Sequence, residues 1–295
     1  MQRLASKDIK AAIEEELKVE ASNLSAKGIQ PCLAVILVGD DPASAIYVGA
    51  KKKACQRVGI KSIEHKLSAD TSQEKLMEIV AQLNADDSVH GILCQVPLPD
   101  QCNEDEVLFA IHPDKDVDCF HPHNVGLLTQ GHPRYQPCTP FGVMQILKRS
   151  GITTEGKKAV IVGRSNIVGR PLSILMSLSD ANCTVTMCHS RTKDLKAECR
   201  QADILVAAIG KPEFITKDFV KPGAVVIDVG VNRIEDPNHP KGARVVGDVA
   251  YAEMEGLASA TTPVPGGVGP MTIAMLMYNC LNAARFKNGL APFEI

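Results

Sequence analysis

The sequence predicts an α/β protein with two doubly wound halves, and three observations carry that reading. Helical and strand-like segments alternate almost throughout, a rhythm that covers a parallel sheet with helices. One stretch, from about Pro113 to Pro140, is rich in Pro, His, Asp and Gly and interrupts the rhythm, as a functional loop or a domain boundary does. The 295 residues suffice for two domains with cores of their own.

Residues 5–27 read as a charged amphipathic helix, and Pro31 to Val38 as a buried strand ending at Gly39-Asp-Asp-Pro. Ala43 to Val58 is helical by period, Lys61 to Leu67 is a strand, Ser72 to Asn84 a helix, and His90 to Val96 a strand closed by Pro97-Leu-Pro. After the irregular stretch, strands are expected at Lys158–Val162, Thr184–Cys188, Asp203–Ala208 and Ala224–Val229. Helices are expected at Val168–Leu178, Lys193–Cys199 and, after a Gly/Pro-rich loop, Met271–Phe286.

Composition narrows the class of protein. Hydrophobic residues at 45% and charged residues at 22% describe an ordinary globular chain. No apolar run approaches the ~18 residues that a spanning helix needs, and Met1 to Glu20 lacks the apolar core of a secretory signal. A net charge of −2 gives no reason to expect nucleic acid or an anionic membrane as partner. The ten cysteines form no CxxC pair and mostly sit in apolar stretches, so reduced thiols in a reducing, cytoplasmic compartment are expected.

Val160-Ile-Val-Gly163-Arg-Ser-Asn-Ile-Val-Gly169 runs from an apolar strand through a glycine turn into a helix, the setting in which helix N–H groups hold a pyrophosphate. Ser165 stands where the second Gly of GxGxxG would be, and the last Gly comes one residue late. The next strand ends in Ser190 and Arg191, without the acidic residue that bonds the ribose 2′-hydroxyl of NAD. A carboxylate repels a 2′-phosphate, whereas Ser190, Arg191 and Arg164 offer it donors. The bound cofactor is therefore read as NADP.

On the helix Ala43–Val58, with Ile46 as origin and ~100° per residue, Lys51 falls near ~140°, inside a mainly apolar arc that also holds Tyr47 and Arg57. Lys52 and Lys53 fall outside it. Tyr47 and Lys51, four apart, share a face. A partly desolvated lysine gives up its proton readily and serves acid/base chemistry; periodicity alone favours reading Lys51 as a snorkelling side chain.

Six motifs resolve that ambiguity. Tyr47-x-x-x-Lys51, Gln95-Val-Pro-Leu-Pro99, Pro113-Asp-Lys-Asp-Val-Asp118, Pro137-Cys-Thr-Pro140, Gly163-Arg-Ser-Asn-Ile-Val-Gly169 and Thr262-Pro-Val-Pro-Gly-Gly-Val-Gly-Pro-Met-Thr272 occur in this order. Over essentially its whole length the sequence closely resembles the bifunctional methylenetetrahydrofolate dehydrogenase/cyclohydrolase family. The resemblance implies oxidation of 5,10-methylenetetrahydrofolate with NADP and hydrolysis of the methenyl product to 10-formyltetrahydrofolate. It implies an N-terminal αβα catalytic domain, residues 1–139 with 271–295, and a Rossmann-like NADP-binding domain, residues 140–270, the C-terminal helix returning to the first. A homodimer is implied as well.

Carried over by position, Lys51 is the catalytic lysine, Tyr47 stacks on or positions the pterin, Gln95 holds Lys51, and Asp118 bonds the pterin's amino and ring N–H groups. Cys94 and Val96 flank that site. Gly163, Arg164, Ser165, Ser190 and Val231 map onto cofactor contacts, to which the 2′-phosphate reading adds Arg191, and Pro265, Gly266, Gly267, Val268 and Gly269 map onto the loop beside the folate. Adjacent glycines there allow close approach and positive φ, and Pro270 suits the first turn of a helix. A protonated lysine is a poor base beside a cationic intermediate, so a lowered pKa is expected for Lys51.

Two departures stand out against the family. Cys119 and Phe120 follow Asp118 where Gly is usual in the first position, which is expected to shift the pterin loop; Ala5-Ser-Lys replaces the common Asp-Gly-Lys. The run Cys119-Phe-His121-Pro-His123, beside Asp116 and Asp118, lacks zinc spacing, and no metal is expected. A monofunctional dehydrogenase and a non-catalytic NADP-binding regulator are the rival readings. The first is disfavoured because Tyr47, Lys51 and Gln95 are all present, the second because Lys51, Gln95 and Asp118 are intact.

Overall fold

Cys32–Val38 is seven apolar residues without a break, so this strand has no face to give to solvent and becomes the centre of a sheet. In the computed structural model, which describes residues 1–237 and 242–295, it pairs in parallel with Lys61–Leu67 on one side and Gly91–Cys94 on the other. Lys61–Leu67 alternates exposed and half-buried residues, as an edge strand does. The connecting helices are Pro42–Val58, where Asp41 accepts from the Ser44 N–H and Gly59 closes in the left-handed region, and Gln73–Ala85, capped by Ser72. The core gathers Ala34, Ile36, Leu76, Val80, Ile92 and Val107.

This unit comprises Ala11–Cys138 and Ile273–Ile295. The C-terminal helix Val268–Lys287 returns to it in its last turns: the Asn279 amide donates to the carbonyls of Val117 and Gln136 at 2.8 Å each, and Arg285 pairs with Glu20 of helix Lys7–Ala26.

The other unit, Met1–Lys10 with Thr139–Thr272, holds a six-stranded parallel sheet. Its order is Gln2–Arg3, Ala260–Thr261, Val225–Asp228, Ile204–Ala207, Lys158–Val162, Thr184–Cys188. Counted from Lys158, the strands run 2-1-3-4-5, so the order reverses between Lys158–Val162 and Ile204–Ala207. In open parallel sheets that switch point, at the carboxyl ends of the strands, is where ligands bind. An antiparallel hairpin, Asn232–Glu235 with Ala243–Val246, stands apart from this sheet.

The Pro113–Pro140 stretch is more ordered than its composition suggests. It contains a 3-10 turn at Pro113–Lys115, a helix at Pro122–Thr129 and the start of helix Cys138–Arg149. Pro113 and Pro122 open their elements at the first-turn position that suits proline, and His112 and His121 cap them by accepting from the N–H two residues on. Read as breakers, these prolines are in fact starters.

Candidate active site

The helix Pro42–Val58 buries Ser44, Val48, Lys51, Ala54, Cys55 and Val58, a face centred near the ~140° direction of Lys51 at ~100° per residue. Ile46, 72% exposed, is not on that face, and Arg57 turns out to solvent to pair with Glu14. The apolar arc read from the sequence is therefore displaced, and Lys51 lies at its middle. Only 9% of Lys51 is exposed, while Lys52 and Lys53 are solvated. Tyr47 is 40% exposed on the neighbouring turn.

Lys51 Nζ donates to Gln95 Oε1 at 2.9 Å. Gln95 follows directly on the buried strand Gly91–Cys94, and its own Nε2 donates to the Val96 carbonyl at 2.8 Å, which turns the amide oxygen toward the lysine. Burial lowers the Lys51 pKa, as expected from the sequence, and the Asp118 carboxylate partly offsets it. Burial likewise raises Asp118, opposed by the charge of Lys51 and by a hydrogen bond with the Cys138 thiol. Each group thus holds its charge less firmly than in water.

Asp118 is delivered by a loop that Asp116 organises. The buried Asp116 carboxylate accepts from the N–H groups of Phe120 and His121 at 3.1 and 2.9 Å and from Asn124 Nδ2 at 2.8 Å. Cys119 adopts φ 64°, the left-handed region in which glycine is unstrained. Its thiol is buried and donates to the Tyr135 carbonyl at 3.3 Å. The larger residue is accommodated in the glycine-type backbone conformation. Cys94 beside Gln95 is also buried, and burial pushes its thiol up to about 12. No group of three or more His, Cys, Asp or Glu among the described residues is placed to hold a metal; His121 is occupied as a helix cap.

In the other unit, Gly163 sits at φ 136°, and a Cβ there would collide with the Ala208 carbonyl. A Cβ on Gly169 would meet the Gly163 carbonyl. The turn therefore packs backbone on backbone at the switch point, with no room for a side chain at either glycine. Ser165 Oγ accepts from the N–H groups of Val168 and Gly169 at 3.2 and 3.4 Å. The residue at the second-glycine position of the fingerprint thus braces the turn that leads into the helix. Arg164, Ser190, Arg191 and Val231 are exposed at this edge. The strand Thr184–Cys188 ends without an acidic side chain, and the Arg191 N–H donates to His189 Nδ1.

The loop Pro263–Pro270 divides its two glycine tasks. Gly266 takes φ 102° and its carbonyl accepts from Ser6 N and Oγ, while Gly267 packs against the Pro263 carbonyl with no room for a Cβ. The helix begins at Val268, placing Pro270 in its first turn.

Family models agree with these observations. The catalytic-domain model of tetrahydrofolate dehydrogenase/cyclohydrolase matches residues 4–118, and the corresponding NAD(P)-binding-domain model matches 137–288. The chain belongs to the tetrahydrofolate dehydrogenase/cyclohydrolase family. One relative is the bifunctional protein FolD of Acetivibrio thermocellus, 54% identical over 284 residues, covering 96% of this chain and 97% of that protein. The bifunctional FolD dehydrogenase/cyclohydrolase of Campylobacter jejuni superposes with a TM-score of 0.92 at 49% identity, covering 98% of this chain and all of that one. The Trypanosoma brucei enzyme, solved with NADP and an inhibitor, gives 0.90 at 38% identity and 96% coverage of both chains.

Sequence reasoning assigned no role to Cys138, Asp116, Asn124 and Asn279, although the first two lie inside the Pro137–Pro140 and Pro113–Asp118 motifs. Their partners are irregular loop atoms, near in sequence for Asp116 and Asn124 and distant for Cys138 and Asn279, and no periodicity marks such contacts.

Proposed function

We propose that this bifunctional dehydrogenase/cyclohydrolase works on tetrahydrofolate derivatives with NADP, using Lys51, Gln95 and Asp118 as its chemical centre. The observation that carries the reading is Lys51 itself: buried, held by one hydrogen bond to Gln95, with its proton loosened by burial. NADP, when bound, accepts the hydride that leaves the bridging methylene carbon, and the product is the methenyl cation. Support for a dinucleotide comes from the tight glycine turn at Gly163, and for its phosphorylated form from Ser190 and Arg191 in place of an acidic residue.

Hydrolysis then needs a base. Neutral Lys51 takes one proton from the water that adds to the methenyl carbon, and passes it to solvent. As the bond from that carbon to N5 breaks, the hydroxyl proton moves to N5 and 10-formyltetrahydrofolate forms. Gln95 steers the amine without adding charge, so the lysine stays a base beside a cation. Asp118 receives the donor edge of the pterin, with Tyr47, Cys94 and Val96 and the Pro265–Gly269 loop as further folate contacts. Gly163, Arg164, Ser165, Ser190, Arg191 and Val231 are the cofactor contacts.

The same proposal covers the domain roles (1–139 with 271–295 for folate, 140–270 for NADP), a homodimer and a cytoplasmic setting. Ten buried free thiols support a reducing compartment, and no helix among the described residues is long and apolar enough to cross a membrane. Light scattering on the eluted peak would show the mass of one chain if the dimer reading is wrong.

The test is absorbance on mixing the purified protein with methylenetetrahydrofolate and either dinucleotide, wild type beside Lys51→Met. Methenyl and NADPH absorbance with NADP, weak with NAD, is the expected result. Hydrolysis of synthetic methenyl substrate at the buffer rate by the wild type would leave only a monofunctional dehydrogenase.

A further inference from the structure

Asp248 is fully buried, yet it belongs to neither chemical centre. Its Oδ2 accepts from the N–H groups of Ile209 and Gly210 at 2.6 and 2.9 Å; its Oδ1 accepts from Lys211 N and Asn232 Nδ2 at 2.9 Å each. Four donors fill what a carboxylate can accept.

The donors come from two loops, and their origin is informative. Ile209, Gly210 and Lys211 follow Ala208, whose carbonyl packs on Gly163 at the switch point. Asn232 follows Val231 and opens the strand Asn232–Glu235, at the end of the loop that leaves the neighbouring strand Val225–Asp228. Asp248 therefore ties together, with one side chain, the main chain of residues 209–211 and the side chain of Asn232, at the carboxyl edge where a dinucleotide lies. Around it the backbone is cut to fit. A Cβ on Gly230 would strike the Asp248 carboxylate, and Asp228, itself accepting from Gly230 N, Asp248 N and Val249 N at 2.9 Å, fixes the segment that carries Asp248.

We infer that Asp248 is a positioning residue for dinucleotide binding: it sets the shape of the 208–211 and 229–232 loops without touching the cofactor. The inference rests on the assignment of this edge to NADP made above. An isosteric amide keeps the volume but turns a donor toward main-chain N–H groups, so the loops lose their shared anchor. Hydrolysis of methenyltetrahydrofolate uses no dinucleotide, which supplies a control within the same polypeptide.

The experiment compares full-length wild type, Asp248→Asn and Asn232→Ala. It measures KM for NADP and kcat of the dehydrogenase, and hydrolysis of synthetic methenyl substrate without dinucleotide. Asp248→Asn is expected to raise KM for NADP about tenfold or more while kcat at saturation and hydrolysis stay within about threefold. Asn232→Ala, which removes one donor of four, is expected to raise KM about threefold. An unchanged KM in Asp248→Asn, or a parallel fall of both activities, overturns the role. Should Asp248→Asn fail to accumulate folded, Asn232→Ala decides by the same criterion. A wild type that reduces no NADP overturns the cofactor assignment itself, and with it this role.

Discussion

Lys51 and Asp248 are both buried charged side chains, and their surroundings are opposite. Lys51 has one hydrogen bond, to a neutral amide, and a carboxylate near enough to offset only part of its desolvation. Asp248 has four donors, three of them main-chain. A charge left under-solvated is poised to exchange its proton, whereas a charge saturated by rigid donors is an architectural pin. Chemistry and construction are thus distinguished by how completely a buried charge is solvated by the protein, not by burial itself.

The strongest test of that contrast is Lys51→Met. It is expected to lower hydrolysis about 10²- to 10⁴-fold while leaving dinucleotide affinity intact, as read by fluorescence titration with NADPH. Next comes Gly247→Ala, whose new methyl would collide with the Asp228 carboxylate. The saturated network has no slack, and a loss of about 3 kcal/mol in denaturant stability is expected.

Gln95→Glu sharpens the other side. Added negative charge beside Lys51 favours its protonated form and raises its pKa, so the base is more fully protonated at neutral pH. The rise of hydrolysis rate with pH should move to higher pH, and the rate at pH 7 should fall by about tenfold for every pH unit that the profile moves. An unmoved profile would remove Lys51 as the titrating base. The smallest effect is expected from Cys119→Gly. Relief of left-handed strain and loss of a buried thiol contact oppose each other at about 1 kcal/mol each, so stability stays within about 1 kcal/mol of wild type.

Regular elements were legible because their signals are local. Lys61–Leu67, Lys158–Val162 and Thr184–Cys188 are visible in the residues themselves. Two-residue strands such as Gln2–Arg3 and Ala260–Thr261 carry no period and exist only through pairing. The helix Pro122–Thr129 was hidden by its own prolines and histidines, which act as starters and caps. At the site, Lys51 stood out from its helix neighbours, but the wheel was misaligned because Ile46 is apolar and exposed. Asp248 was invisible: an aspartate after Val-Val-Gly looks like any turn residue until its four donors are assembled in space.

All ten cysteines are buried as free thiols, distributed over both units. An alkylating reagent can reach them only when the surrounding structure opens, so native-state labelling read by mass spectrometry becomes a residue-resolved clock of local unfolding. Cys188 and Cys199 would report on the parallel sheet that carries the dinucleotide edge, and Cys55, Cys94 and Cys138 on the packing around the lysine. Adding NADP should slow the first pair, and adding a folate analogue the second set, giving each ligand its own footprint in one experiment.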